Sequence, residues 1–182
     1  MTQIKYCIFD NDIPVFQENN EIEIRSASNI ILAPGETKII SIGIGFTAVQ
    51  SSDDNILYVR APDDMIYKSK LRIASNLVFT GRCKKSQLTG EIVSELGVVI
   101  DNISNNTVVV EANNETRLRV IKPDDRNFIF DIHGDNISGT KISGGHGYYN
   151  IRKGDALGHI IVLKKDNICN FMKNDIDRYT DI

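Results

Sequence analysis

The sequence predicts an all-β domain with few, short helices, on three observations: short β-branched runs, period-two alternation inside them, and turn-forming residues between them. The runs are IKYCIF, EIEIRS, NIIL, TKIISIGIGFTAV, NILYVRA, NLVF, EIVSELGVVIDNI, TVVVEA, RLRVI, NFIFDI and HIIVLKK. Many short strands at such spacing build a sandwich or a barrel. Alternation is clearest in Glu21-Ile22-Glu23-Ile24-Arg25 and in Arg117-Leu118-Arg119-Val120, as in strands with one wet face.

The connecting elements follow from local chemistry. Pro34-Gly35 reads as a tight turn joining NIIL to TKIISI, since Pro presets φ and Gly accepts a positive φ. A helix is expected from about residue 65 to 74, and the polar stretch 167–182 carries Phe171, Met172 and Ile176 at near-helical spacing. Between 104 and 149 the strands are interrupted, and the Gly-rich run 133–150 reads as a surface loop too irregular for a P-loop.

Composition bounds the function classes. The 182 residues, 41% apolar and 25% charged, suit one globular domain. A formal net charge of -3 supplies no global basic field, so duplex nucleic acid is not an expected partner, while a small anion in a local pocket stays open. The first 16 residues lack the apolar run of a signal peptide, and no segment approaches the roughly 20 apolar residues of a membrane span. The expectation is therefore a soluble, cytoplasmic protein without a membrane partner. Cys7, Cys83 and Cys169 are scattered, which argues for plain thiols rather than disulfides or metal ligands. The sequons at Asn102, Asn105, Asn114 and Asn136 are expected to stay unmodified. The Ile, Asn and Asp bias fits an AT-rich genome such as that of a virus or phage.

Several segments then form an ordered series. Asp12-Ile13-Pro14 comes first, followed by EIEIRS at 21–26, NIILAPGE at 29–36 and IISIGIG at 39–45. Tyr67-Lys68-Ser69-Lys70-Leu71, Gly90-Glu91-Ile92 and GDALGHIIV at 154–162 complete it. In this order they resemble the trimeric deoxyuridine triphosphatases (dUTPases) over about residues 3–165, with LAPGE the most recognisable match. The resemblance implies a distorted jelly-roll β-barrel, also called a β-clip. It spans 1–165 with an insertion at about 106–149, near where some phage dUTPases carry an extra segment, and 166–182 form a tail.

Set against the family's motifs, the chemistry is depleted. Glu23 stands where the first motif has Asp. In the second motif Lys68 replaces the phosphate-binding Arg, keeping charge but not the planar fork, and Ser69 is retained. An alternative register places Arg60-Ala61-Pro62 there, keeping Arg and losing Ser. The third motif survives only at Gly90-Glu91-Ile92: Lys84-Lys85-Ser86-Gln87 fall where the water-activating Asp is expected, and Leu88 falls on the sugar-stacking Tyr. An ammonium group carries a proton rather than accepting one, so the general base is missing. In the fourth motif Ala156 replaces Arg and His159 replaces Gln, and the Gly-rich fifth motif has no counterpart after Asp166.

The reading is accordingly a catalytically inactive dUTPase-like homotrimer that acts by binding a protein partner or a nucleotide. Lys68, Ser69, Glu23, His159 and Gly90 are the nucleotide-contact candidates. Glu23 is the metal candidate, for the Mg²⁺ that would accompany a bound nucleotide. The alternative is a divergent Mg²⁺-dependent dUTPase or related pyrophosphohydrolase using Glu23, Glu91 or Asp101, and a structural trimer fits the same strands. His133, His146 and His159 are too scattered for a catalytic triad, while Tyr148 and Tyr149 beside the Gly-rich loop could stack on a base or a partner.

Overall fold

In a computed structural model the residues described are 2–18, 21–47, 56–104, 110–112, 115–117, 128–138, 146–163, 169–173 and 179–182. Among them strands dominate and pair into five sheets. The first orders β15 (Cys169–Lys173), β1 (Thr2–Ile8) and β6 (Ile44–Phe46). The second is the hairpin of β10 (Val110–Ala112) and β11 (Glu115–Arg117). The third orders β12 (Ile129–Phe130), β13 (Tyr148–Ile151) and β4 (Ile30–Leu32). The fourth orders β2 (Phe16–Glu18), β3 (Glu21–Arg25), β14 (Ala156–Leu163) and β7 (Ile56–Arg60). The fifth orders β16 (Tyr179–Asp181), β8 (Leu71–Ser86), β9 (Ile92–Asn102) and β5 (Thr37–Ser41). Neighbours within a sheet are mostly distant in sequence, so the chain crosses repeatedly between sheets that share one core.

That core is aliphatic and drawn from nearly every sheet. Ile4 of β1, Ile22 and Ile24 of β3, Leu32 of β4, Ile40 of β5, Val98 and Ile100 of β9, Ile151 of β13 and Ile160 of β14 are all buried in one cluster. Each such side chain contributes about 1.5–3 kcal/mol by leaving water, which is why period-two alternation decides which face turns inward. In β3 the alternation is complete: Ile22 and Ile24 are buried, and Glu21, Glu23 and Arg25 face outward. The Arg117–Val120 alternation lies largely outside the described residues.

The turn at Pro34-Gly35 forms as expected between β4 and β5. Gly35 has φ +76, a region that favours glycine, and Glu36 N donates to the Ala33 carbonyl at 3.0 Å. The run TKIISIGIGFTAV divides into β5 and β6, because Gly43 turns the chain at φ +67 while its carbonyl accepts from Phe9 N at 2.7 Å.

Two expectations are corrected. The helix expected over 65–74 is α1 (Asp63–Lys68), and from Leu71 the chain is strand. Ser69 ends the helix: its backbone N and its hydroxyl both donate to the Met65 carbonyl, at 3.3 and 2.7 Å. Leu71 then enters the long β8–β9 ladder, whose pairing outweighs local helix propensity. The helical spacing in the tail is likewise overridden. Residues 169–173 form β15, parallel to β1 from Thr2↔Cys169 to Tyr6↔Lys173, and residues 179–181 form β16 on β8. Ile176 lies outside the described residues. An open strand edge offers one backbone partner per residue, more than an isolated amphipathic turn secures.

Part of the expected insertion belongs to the core. Phe128, Phe130 and Ile132 are buried in the main cluster, and β12 runs parallel to β13 with Phe130 opposite Tyr149. Of the Gly-rich run, residues 139–145 lie outside the described residues. Tyr149, expected as a stacking residue, has no exposed surface: its ring lies 5.6 Å from that of Phe130, and its hydroxyl accepts from Lys70 N at 2.7 Å.

Asn102, at the end of β9, ties three segments together. Its side-chain amide donates to the Leu32 carbonyl at 3.1 Å and the Gly147 carbonyl at 2.8 Å, and its Oδ1 accepts from Ser104 N at 3.0 Å. It is 1% exposed, so truncation leaves buried backbone groups without water to replace the lost partners. Asn102→Ala is expected to lower unfolding free energy by about 2–4 kcal/mol, read from the urea midpoint.

Candidate functional site

The sheet geometry brings two of the predicted site residues together. β14 runs antiparallel to β3 with His159 opposite Glu23, and β7 adds Arg60 on the far side of His159. β2 places Phe16 opposite Glu23 on the other flank. One rung of the outer face therefore reads Phe16, Glu23, His159, Arg60. Arg60, the arginine of the alternative register, thus shares a rung with two candidates that sequence places far from it.

Backbone form explains the close assembly. β14 has a register irregularity between Ala156 and Gly158, and a Cβ at Gly158 would sit 2.3 Å from the Arg60 carbonyl. Only glycine admits β7 at this approach, which seats Arg60 beside His159.

The charges on this face are mutually engaged. Arg25 Nε donates to Glu23 Oε1 at 2.6 Å, its Nη1 donates to the Gly154 carbonyl at 2.7 Å, and its guanidinium lies 4.8 Å from the Phe16 ring centroid. Arg60 Nη2 donates to Glu21 Oε2 at 3.0 Å. A cation at Glu23 would have to share the carboxylate with Arg25, a like-charged neighbour. Among the described residues no group of three or more His, Cys, Asp or Glu side chains could hold a metal ion.

The other candidates sit elsewhere. Lys68 is exposed at the end of α1. Ser69 is 7% exposed, and besides donating to Met65 its Oγ accepts from Leu71 N at 3.1 Å, so the hydroxyl is occupied as a helix terminator. Gly90 belongs to the turn between β8 and β9, with φ +73 and its N–H on the Ser86 carbonyl at 3.0 Å. Its sheet is not the one that carries Glu23 and His159.

The segment 84–91, set against the third motif in the sequence, is the other notable place. Lys84 Nζ donates to the Ile8 carbonyl at 3.2 Å and lies 5.2 Å from the Phe9 ring centroid. Ser86 is buried, and Leu88 is exposed on the turn. Glu91 accepts from the Tyr179 hydroxyl at 3.3 Å. Asp101, the third possible Mg²⁺ ligand, is gripped by Arg72 at 2.6 Å and Thr37 at 2.7 Å, and the Arg72 hydrogen bond, then that of Thr37, holds its carboxyl below the usual range.

Sequence reading missed three features. His133 Nδ1 meets Asp64 Oδ2 at 2.5 Å, tying the Gly-rich loop to α1. Beside the irregular part of β8 lies a cavity of about 540 Å³ lined by Phe46, Thr47, Leu57, Asn76, Leu77, Phe79 and Leu96. Tyr179 packs against a small cluster of Cys7, Phe9 and Val93. None had a local signal, because each joins segments far apart in the chain.

Comparison with known proteins separates sequence from shape. No protein-family model matches the chain, and no curated protein matches it in sequence. Solved structures do match, and they define an all-β class, that of the dUTPases. The dUTPase of Staphylococcus phage 80alpha superimposes with a TM-score of 0.60 at 14% identity, covering 90% of this chain and 91% of that one. The dUTPase from phage phi11 of S. aureus, whose structure displays a species-specific insert, gives 0.58 at 16% identity, covering 90% and 91%. A single-site mutant of the phi11 enzyme, which coordinates a structural Mg(II) ion, gives 0.59 at 16% identity, covering 90% and 92%. The chain has the fold of the phage dUTPases.

Two measurements test the local chemistry. Ser69→Ala should cost about 1–2 kcal/mol of stability, measured by urea titration, as expected for a lost buried pair of hydrogen bonds. Burial pushes the phenols of Tyr149 and Tyr179 up to about 12, assisted at Tyr179 by Cys7 and then Glu91 and partly offset at Tyr149 by the Lys70 N–H. Both values exceed the unfolded value near 10, so the native state holds these protons longer. Their contribution to stability is complete below about pH 10 and lost as pH rises through about 12. Burial also raises the Tyr6 phenol, so ultraviolet titration should show three of the six tyrosines ionising late, and two in Tyr179→Phe.

Proposed function

We propose that this chain is a dUTPase-like protein that acts by binding, principally a protein partner, without pyrophosphohydrolase activity. One observation carries the reading: the third-motif segment 84–88 presents lysines where the water-activating carboxylate is expected. Lys84 is engaged with the Ile8 carbonyl and the Phe9 ring, an arrangement suited to packing rather than to proton abstraction from water. The carboxylates nearest in sequence are also engaged: Glu91 with Tyr179, and Glu95 with Thr80 at 2.8 Å.

Two further observations support binding. The Glu23–Arg25 and Arg60–Glu21 pairs make the outer face of β3 a preformed charged surface flanked by exposed Phe16 and Tyr58, a composition suited to protein contact. Phage 80alpha dUTPases, of the same fold, control transfer of virulence genes by a G protein-like mechanism. The chain is proposed to assemble as a homotrimer in the cytoplasm, on the resemblance of its motifs to the trimeric family. Lys68, Ser69, Glu23, His159 and Gly90 are the positions for any nucleotide contact, and a Mg²⁺ at Glu23 would have to displace Arg25 from the carboxylate.

The deciding measurement is pyrophosphate release from dUTP and other nucleoside triphosphates with Mg²⁺. No turnover above the protein-free rate is expected. Turnover at ordinary enzyme rates of about 1 s⁻¹ or more, abolished by Glu23→Ala, would overturn the reading.

A further inference from the structure

We propose that the outer edge of β8 over residues 83–86 is a strand-addition site for an extended acidic peptide bearing an aromatic residue, and that β16 is a built-in strap competing for it. The inference rests on the binding reading above and names where a protein partner docks.

The edge comes first. Over residues 83–85 β8 pairs with β9 on one side. On the other, β16 covers three rungs, Tyr179↔Ser86, Thr180↔Lys85 and Asp181↔Lys84, and Ile182 N donates to the Cys83 carbonyl at 3.2 Å. A strand edge presents a row of backbone donors and acceptors that any extended segment of suitable side chains can use. The register irregularity between Phe79 and Cys83, where Gly81 has φ +92, interrupts the ladder just beyond and limits the site to a few residues.

Selectivity comes from one aromatic seat and one charge. Tyr179 is the half-buried residue of β16: it packs on Cys7, Phe9 and Val93 and reaches Glu91 with its hydroxyl. Thr180 and Asp181 are exposed. The receiving strand carries Arg82, Lys84 and Lys85, and Arg82 approaches Asp181 at 3.6 Å. Arg82 thus gives this edge a cation on the face that takes Tyr179 and Asp181, to which an aromatic-x-acidic peptide is complementary.

The strap holds by three rungs, one more backbone hydrogen bond at Ile182, the Tyr179 ring with its hydroxyl on Glu91, and the Arg82–Asp181 pair, and it is also tethered. A tethered segment competes at an effective concentration in the millimolar range, which a free peptide of the same contacts must overcome. Removing the strap should uncover the site.

The experiment uses a fluorescein-labelled peptide with the sequence of residues 177–182, followed by fluorescence polarisation. A chain lacking 179–182 is expected to bind it at least about tenfold more tightly than the full chain. Full-length Tyr179→Ala, which empties the seat without shortening the chain, should also bind more tightly than the unaltered protein. Arg82→Glu in the shortened chain, or Ala for Tyr in the peptide, should weaken binding at least about tenfold. If both altered chains keep their β-type circular dichroism and neither gains affinity, the proposal fails. Should the shortened chain not fold, Tyr179→Ala alone decides. dUTP turnover, run on the same preparations, would sink the inactive reading without touching the peptide result. Conversely, absent peptide binding would sink the strap and leave the turnover result intact.

Discussion

The antiparallel ladder between β8 and β9 is the constraint on which most of the molecule depends. Its inner face sets Leu96, Val98 and Ile100 into the common core. One end is closed by the turn at Gly90, and the other by Asn102, which reaches the backbones of β4 and of the segment leading into β13. Because these side-chain hydrogen bonds are shielded from water, they secure segments that share no sheet with β9. The same ladder limits α1 to two turns or fewer, since Leu71 is already committed to pairing with Asn102.

Where that ladder is irregular, it makes surface features. The slip between Ile73 and Leu77 lies beside the cavity lined by Asn76, Leu77 and Phe79. The slip between Phe79 and Cys83 sets off the short edge taken by β16. Bulges at such positions re-aim side chains and interrupt pairing, and here they separate a rigid inner ladder from an outer edge with recognition chemistry. The cations of that edge stand over Phe9, with Arg82 and Lys84 at 5.6 and 5.2 Å from its centroid, so basic character and core packing are joined in the same residues.

The outer rung of Phe16, Glu23, His159 and Arg60 has a different origin. It arises from register across β2, β3, β14 and β7, and its carboxylates are neutralised by arginines on the same face. Such pairs keep their charges in place without leaving them unbalanced, a state better suited to a complementary surface than to binding a cation.

Much of this was legible in the sequence because it is local. Alternation over 21–25 assigned the inner and outer faces of β3, Pro34-Gly35 assigned its turn, and the ordered motif remnants led to a fold that solved phage dUTPases share. What only tertiary structure decided involves partners distant in the chain. Helical spacing in 65–74 and 167–182 yielded to strand edges supplied by β9 and β1, because backbone pairing along an edge outweighs a short amphipathic pattern. Tyr149 became a core residue and Tyr179 an anchor for the same reason: a tyrosine's role depends on which segments meet around it. The sequence by itself determined strand content and which residue types stand at the motif-like positions, both written in residue identity. The structure decided register, and with it which side chains stand together, because register is settled by the summed burial of the whole core.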